Sequence, residues 1–79
     1  MVTAAQIHQH TTEHVAKRPS WDCRVCDKPW PCDPAREALR IELDDVRLAM
    51  YMWANLEEAA LDLHESMGEI FERFIAWTR

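Results

Sequence analysis

The chain has 79 residues, a formal net charge of −5, and a 48% share of hydrophobic residues that includes four tryptophans. This length limits it to one small domain, whose core is often supplemented by a bound metal or a partner subunit. The hydrophobic content argues against a disordered chain, and an acidic surface repels phosphate backbones, so we expect no nucleic-acid partner.

The cellular setting predicted by the sequence is reducing. No stretch approaches the roughly 18 uncharged apolar residues of a membrane span, and the first residues lack the basic head and apolar run of a signal peptide. We therefore expect no membrane partner and a cytoplasmic location, where thiols stay reduced. The odd number of cysteines, three, likewise favours a metal site over a disulfide framework.

In chain order, residues 1–12 are polar and we expect them to be flexible. Residues 13–33 contain all three cysteines and two of the four tryptophans, and we interpret this segment as a compact loop. The pattern is helical from Pro34 onward. The predicted fold class is all-α: a single domain over residues 1–79, in which a Cys3His zinc loop packs on two or three helices arranged as an antiparallel hairpin.

The first helix is predicted over residues 34–59, with Asp33 as its N-cap and Pro34 at its first position. A break near residues 43–45 is compatible with the pattern, because Asp44 can cap a new helix. Two apolar stripes indicate a helix that is buried on several sides or meets another chain. The first comprises Leu39, Leu43, Val46, Met50 and Trp53, and the second Ile41, Leu48, Met52 and Leu56.

The last helix is predicted over residues 66–78, after a turn over residues 60–65. Ser66 and Glu69 form a capping box, and Glu69 and Arg73 are spaced for an i,i+4 ion pair. One face of this helix is apolar, with Met67, Ile70, Phe71, Phe74 and Trp77.

The cysteines follow the pattern of a metal-binding loop. Cys23 and Cys26 are separated by two residues, so they can hold one ion through a tight turn whose backbone N–H groups point at the sulfurs. Asp27 follows where many such turns need a left-handed residue, usually glycine. Cys32 adds a third thiolate. Three sulfurs and one imidazole are a common zinc ligand set, so zinc is the predicted cofactor.

A histidine is expected to complete the set. His14 gives the pattern H-x8-C-x2-C-x5-C, and the predicted metal ligands are therefore His14, Cys23, Cys26 and Cys32. The fourth position also has alternatives, namely a water molecule, His8, His10 or His64. Four protein ligands leave no open position, so we expect the zinc to be structural and predict no catalytic residue.

A redox dithiol at Cys23 and Cys26 is the main rival interpretation. That chemistry normally places the first cysteine at a helix N-terminus, which lowers its pKa. The predicted helix begins after Cys32, so Cys32 is expected to be the better-activated thiol.

The loop is also expected to supply a wall of the core, in which Trp21, Trp30 and Val25 pack against Leu39, Leu43 and Trp77.

Two segments resemble a set of small actinobacterial zinc-loop proteins of unassigned role and similar length. Their shared centre, W-x-C-R-x-C-G-x-P-W-P-C-x-P-A-R-E, is similar to Trp21 to Glu37, with Asp27 in place of the glycine. Their shared ending, F-x-R-F-x-x-W-T-R, is similar to the segment from Phe71 to Arg79. Such proteins often carry the label flavin reductase, but the resemblance implies no particular catalytic residue.

The expected function is non-enzymatic. A flavin must be enclosed and its phosphate neutralised, whereas this chain has a single glycine and no phosphate-binding loop. We expect a zinc finger-like protein-interaction or accessory module with a protein partner or self-association. A flavin-handling or redox accessory enzyme is the alternative. A zinc-based transcription factor would need a basic face, and lysines and arginines are outnumbered nine to fourteen by acidic residues.

Overall fold

The computed structural model describes residues 13–79, so the flexibility expected of residues 1–12 concerns a segment outside the described residues. Within residues 13–79, two short strands, β1 (Ala16–Lys17) and β2 (Asp22–Cys23), precede three helices. The helices are α1 (Asp33–Glu42), α2 (Asp45–Asp62) and α3 (Met67–Phe74), followed by a 3₁₀ turn (Ala76–Thr78). None of the helices in this part of the chain combines the length and apolarity that a membrane crossing requires.

The fold is mostly helical, but the all-α prediction is not strictly correct because β1 and β2 form a small antiparallel sheet. Ala16 lies opposite Cys23 in this hairpin. Trp21, in the connection, has a left-handed backbone (φ 61°) that a bulky residue rarely adopts. Pairing of β1 with β2 provides hydrogen-bond partners for backbone groups that are not in a helix. It also brings the segment around His14 beside Cys23.

The helix predicted over residues 34–59 is two helices, separated where Asp44 allows a break. Asp44 is the N-cap of α2, and its carboxylate accepts a hydrogen bond from the backbone N–H of Arg47 (2.8 Å). The helix then continues to Asp62, into the segment predicted as a turn. At the start of the predicted helix, Cys32 is the N-cap of α1, so Asp33 is the first helical residue and not the cap.

The break also changes which apolar stripe enters the core. In α2 the second predicted stripe is buried through Leu48, Met52 and Leu56, whereas its α1 member, Ile41, is exposed. The part of the first stripe that lies on α2 is exposed to solvent: Val46, Met50 and Trp53. Two helices with different axes share no common face, so a stripe that crosses the break does not stay on one side.

Helix α3 begins at the predicted capping box, which the structure confirms. The Ser66 hydroxyl accepts a hydrogen bond from the Glu69 backbone N–H (3.2 Å), and the Glu69 carboxylate accepts one from the Ser66 backbone N–H (3.3 Å). Ile70 and Phe74 are buried on the inner face. Met67, predicted for the same face, is exposed.

Arg73 of α3 turns inward to the loop, so its predicted ion pair with Glu69 is wrong. Its Nε donates to the carbonyl of Trp30 (2.8 Å) and its Nη2 donates to the carbonyl of Trp21 (2.6 Å). Its Nη1 pairs with Glu65 (3.5 Å), and the side chain is only 15% exposed. Burial lowers the pKa of Arg73, and the neighbouring carboxylates oppose that effect. One guanidinium therefore fixes two points of the loop to the last helix.

An aromatic cluster fills the space beside this arginine. The ring centroid of Phe74 lies 5.5 Å from that of Trp21 and 6.1 Å from that of Trp30, and the two indoles are 6.0 Å apart. The tryptophans thus enter the core as predicted, but their aromatic partner is Phe74. Trp77 instead has the guanidinium groups of two α1 arginines over its ring. Val25, predicted to pack inward, is exposed.

We predict that Arg73→Gln lowers the free energy of unfolding by about 2–4 kcal/mol, because two charge-assisted hydrogen bonds to the loop are lost. The Trp21 carbonyl keeps its hydrogen bond from the Trp30 backbone N–H (2.9 Å), so the Trp30 carbonyl is the one that loses its donor. Urea denaturation of the metal-loaded protein, followed by tryptophan fluorescence, measures this change. Arg47→Gln is the matched control: this exposed arginine should cost less than about 0.5 kcal/mol. Equal urea midpoints for the two variants would show that Arg73 does not hold the loop.

Candidate metal centre

The turn between the first two cysteines has the conformation expected of a metal-binding loop. The backbone N–H of Val25 points at Cys23 Sγ (3.4 Å), and the N–H of Asp27 donates to the Cys23 carbonyl (3.0 Å). Asp27 has φ 62°, which confirms the left-handed residue predicted there. The turn therefore orients backbone dipoles so that they stabilise negative charge on sulfur.

His14 is held by contacts of its backbone and its neighbours. Its carbonyl accepts a hydrogen bond from Trp30 Nε1 (3.1 Å), and the Val15 carbonyl accepts one from the Arg24 backbone N–H (2.9 Å). The imidazole Nδ1 then lies 3.2 Å from Cys23 Sγ and 3.4 Å from Cys32 Sγ. The side chain of Trp30 and the β1–β2 hairpin together place His14 beside the cysteines.

The structure brings together all four residues of the predicted set: the ligand atoms of His14, Cys23, Cys26 and Cys32 lie within 4.8 Å of one another. A zinc ion with bonds of about 2.3 Å to sulfur and about 2.0 Å to nitrogen requires S···S and S···N separations of roughly 3.5–3.8 Å. Contraction of the longer separations by about 1 Å brings the set to those lengths. The three cysteines are free thiols. The arrangement is compatible with a structural metal site.

The thiols of Cys23 and Cys32 have different acidities. Burial raises the pKa of Cys23, but hydrogen bonds from the backbone N–H groups of Cys26 and Val25 outweigh it and lower the value to about 7. For Cys32, burial dominates and raises the pKa to about 11, although the Ala35 N–H opposes it. The expectation that Cys32 is the better-activated thiol is therefore wrong, since a helix N-terminus does not offset its desolvation.

Cationic side chains lie at the rim of the cluster. A cleft of about 270 Å³ beside Cys26 and Cys32 is also lined by Lys28 and Arg36. Three thiolates and a neutral imidazole carry three negative charges, so a divalent ion would leave a net charge of −1. Asp33 lines the same cleft, so Lys28, Arg36 and Asp33 together leave one net positive charge there, which can offset the remaining charge of the cluster.

The alternative histidines are not part of this cluster in the described residues. His64 is exposed in the segment between α2 and α3, and it is absent from the group of ligand atoms that converge. His8 and His10 lie outside the described residues. Among the histidines of residues 13–79, only His14 has its ring at the sulfurs.

Asp62 is a supporting residue that the sequence reasoning missed. Its Oδ2 accepts hydrogen bonds from Arg18 Nε (2.6 Å) and from Trp21 Nε1 (2.8 Å). The bond from Arg18, with that from Trp21, lowers the pKa of this carboxyl below its usual value. No signal in the sequence indicated this role, because residues 60–65 were predicted as a turn, whereas α2 continues to Asp62. Asp62 and Arg73 thus attach the loop to two different helices.

The chain is therefore a small, mostly helical protein with a His/Cys cluster suited to a metal. In comparisons with known proteins, no family model, no curated protein and no solved structure matches it. The functional argument consequently depends on the chemistry of the cluster and its surroundings.

We predict that His14→Ala weakens zinc binding on the order of 100-fold, because a folding-coupled binding energy of roughly 10–16 kcal/mol shared by four ligands gives about 3 kcal/mol for each. Zinc titration against a competing chelator of known affinity measures the change. His64→Ala is the matched control and should leave the affinity unaltered. A larger loss from His64→Ala would place the fourth ligand in the helical half.

Proposed function

We propose that this protein is a zinc-stabilised interaction module, in which one zinc ion bound by His14, Cys23, Cys26 and Cys32 has a structural role. One observation carries the proposal: four donors from three separate points of the loop converge within 4.8 Å. The thiols are not joined in disulfides. Metal binding is the chemistry that best uses such a convergence, since three adjacent thiolates without an ion repel one another.

The donor set favours zinc among the common metals. Soft thiolate ligands select zinc, copper(I) and iron–sulfur clusters, whereas calcium and magnesium need oxygen ligands. A tetrahedral set of three sulfurs and one imidazole is typical of structural zinc. It also leaves no coordination position for a water molecule, so a hydrolytic role has no place at this ion.

The position of the loop supports a structural role for the ion. Cys23 and Cys32 are buried at the junction between the hairpin and α1. The tryptophans that flank the cysteines pack on Phe74 of α3. Fixing the loop with an ion would therefore also fix one wall of the core, which a chain of this size needs.

An interaction role is supported by the surface of α2. Val46, Met50, Trp53 and Leu61 are exposed on this helix, and exposed apolar residues in a row typically mark a contact site.

The enzyme alternative has a direct test in titration with flavin mononucleotide. Saturable quenching of tryptophan fluorescence would favour a flavin-handling protein, and the proposal of a non-enzymatic module expects none.

We predict one zinc per chain in native mass spectrometry, and loss of the cooperative melt of the helices once a strong chelator has removed the ion. The physical reason is that the ligands are not preorganised in the unfolded chain, so binding energy becomes folding energy. Circular dichroism at increasing temperature measures the effect, and returning zinc should restore the melt. Cys23→Ser, Cys26→Ser and Cys32→Ser should each mimic chelation.

An unchanged helical melt after verified zinc removal would contradict this coupling. It would show that the helices fold without the loop. Protein purified without chelator that contains no zinc would overturn the zinc assignment itself.

A further inference from the structure

The three sulfurs of the candidate metal centre differ in their access to solvent. Cys23 is 0% exposed and Cys32 is 4% exposed, whereas Cys26 is half-buried. Cys26 and Cys32 also line the same cleft of about 270 Å³, which is large enough to admit a molecule of the size of water or hydrogen peroxide. A small reagent that enters from solvent therefore meets Cys26 first.

With an ion bound, all three sulfurs would be thiolates. A thiol that coordinates zinc is deprotonated outright, and the thiolate is the form that reacts with oxidants. Access to solvent therefore decides which thiolate reacts, and it favours Cys26. The net positive charge of Lys28, Arg36 and Asp33 in the cleft offsets the net charge of −1 of a zinc-loaded cluster. A small uncharged oxidant is consequently neither attracted nor repelled.

Cys32 is the sulfur best placed to react with an oxidised Cys26. The ligand atoms of the cluster lie within 4.8 Å of one another, so two of its sulfurs need to approach by less than about 3 Å to reach the disulfide length of about 2.05 Å. Cys23 Sγ lies within the same distance, but two backbone N–H groups donate to it, those of Cys26 and Val25. Cys32 Sγ has one such donor, the N–H of Ala35. The more strongly stabilised thiolate, that of Cys23, is the weaker nucleophile.

We propose that Cys26 and Cys32 form a peroxide-sensitive pair, whose oxidation to a disulfide releases the zinc ion. This inference rests on the proposed function, because it makes the structural ion the point at which the module is regulated. Cys26 Sγ attacks one oxygen of hydrogen peroxide, the O–O bond breaks, hydroxide leaves, and Cys26 becomes a sulfenic acid. The Cys32 thiolate then attacks Cys26 Sγ, the S–O bond breaks, and a second hydroxide leaves as the disulfide forms. Two electrons pass from the sulfurs to the peroxide, and solvent protonates both hydroxides to water.

The oxidised pair cannot hold the ion. Only His14 and Cys23 remain as ligands, too few for the four-coordinate site that zinc prefers. Loss of the ion frees the loop that carries Trp21 and Trp30 to the ring of Phe74. Oxidation therefore loosens one wall of the core. Reduction in the presence of zinc reverses the change, because a disulfide is reopened by thiolate attack.

The experiment treats the zinc-loaded full chain with an excess of hydrogen peroxide. A chromogenic zinc indicator follows release, tryptophan fluorescence follows the loop, and mass spectrometry of alkylated, digested samples maps the disulfide. We expect one zinc released for each Cys26–Cys32 disulfide formed, and recovery of the fluorescence after reduction with a phosphine and return of zinc. Met50 and Met67 are exposed and also react with peroxide, so their sulfoxides are timed as well. Zinc release should follow the disulfide and not the sulfoxides.

Two substitutions test the cleft as the route of entry. Lys28→Gln removes an exposed cation that lines the cleft and stabilises the leaving hydroxide, so zinc release should slow about two- to fivefold. Arg24→Gln is the matched control. Arg24 is exposed on the same turn but does not line the cleft, so the rate of release should stay unchanged.

The inference is overturned if peroxide leaves zinc bound to the wild type, or if zinc is released while Cys26 stays unmodified. A Cys23–Cys26 disulfide would contradict the choice of Cys32, and equal rates for Lys28→Gln and Arg24→Gln would contradict entry through the cleft. Native mass spectrometry before the addition of peroxide separates the two proposals. A chain without zinc at that stage overturns the proposed function together with this inference, whereas a loaded chain that keeps its ion in peroxide overturns this inference alone.

Discussion

The guanidinium of Arg73 joins the two halves of the described structure. It donates to the carbonyls of Trp21 and Trp30, which bracket the Cys23–Cys26 turn. Those carbonyls belong to a loop whose own strands are two residues long, too short to hold it on their own. Because hydrogen bonds from a charged donor are stronger than neutral ones, this arginine is the main polar attachment of the loop to α3. The aromatic packing of Trp21 and Trp30 on Phe74 depends on the same placement.

The metal cluster and the arginine contact are complementary constraints. The four candidate ligands all lie within residues 14–32, so an ion would organise the loop locally. Arg73 is 43 residues from Trp30 and 52 from Trp21 along the chain, so it couples that loop to the far end. Asp62 provides a second distant attachment through Arg18 and Trp21. An ordered loop therefore stabilises the helices, because the helices alone have few residues with which to form a core.

Helix α2 has an inner side that enters the core and an outer side that stays at the surface. Leu48, Met52 and Leu56 supply the core, while Val46, Met50 and Trp53 stay at the surface. A domain of this length cannot bury both sides of an 18-residue helix. Apolar side chains on the second side therefore remain exposed, which is the basis for proposing an interaction role.

Local features of this protein were readable from the sequence because each depends on neighbouring residues. The spacing of the cysteines and His14, the left-handed turn at Asp27, the cap at Asp44 and the capping box at Ser66 and Glu69 are of this kind. Other features involve residues that are distant in the chain. Nothing in the sequence indicated that Arg73 would leave Glu69 for two carbonyls of the loop, or that Val25 would face solvent. The stripe that became the core of α2 was likewise decided by tertiary packing, because the break at Asp44 gives each helix its own axis and only the contacts between helices select a face.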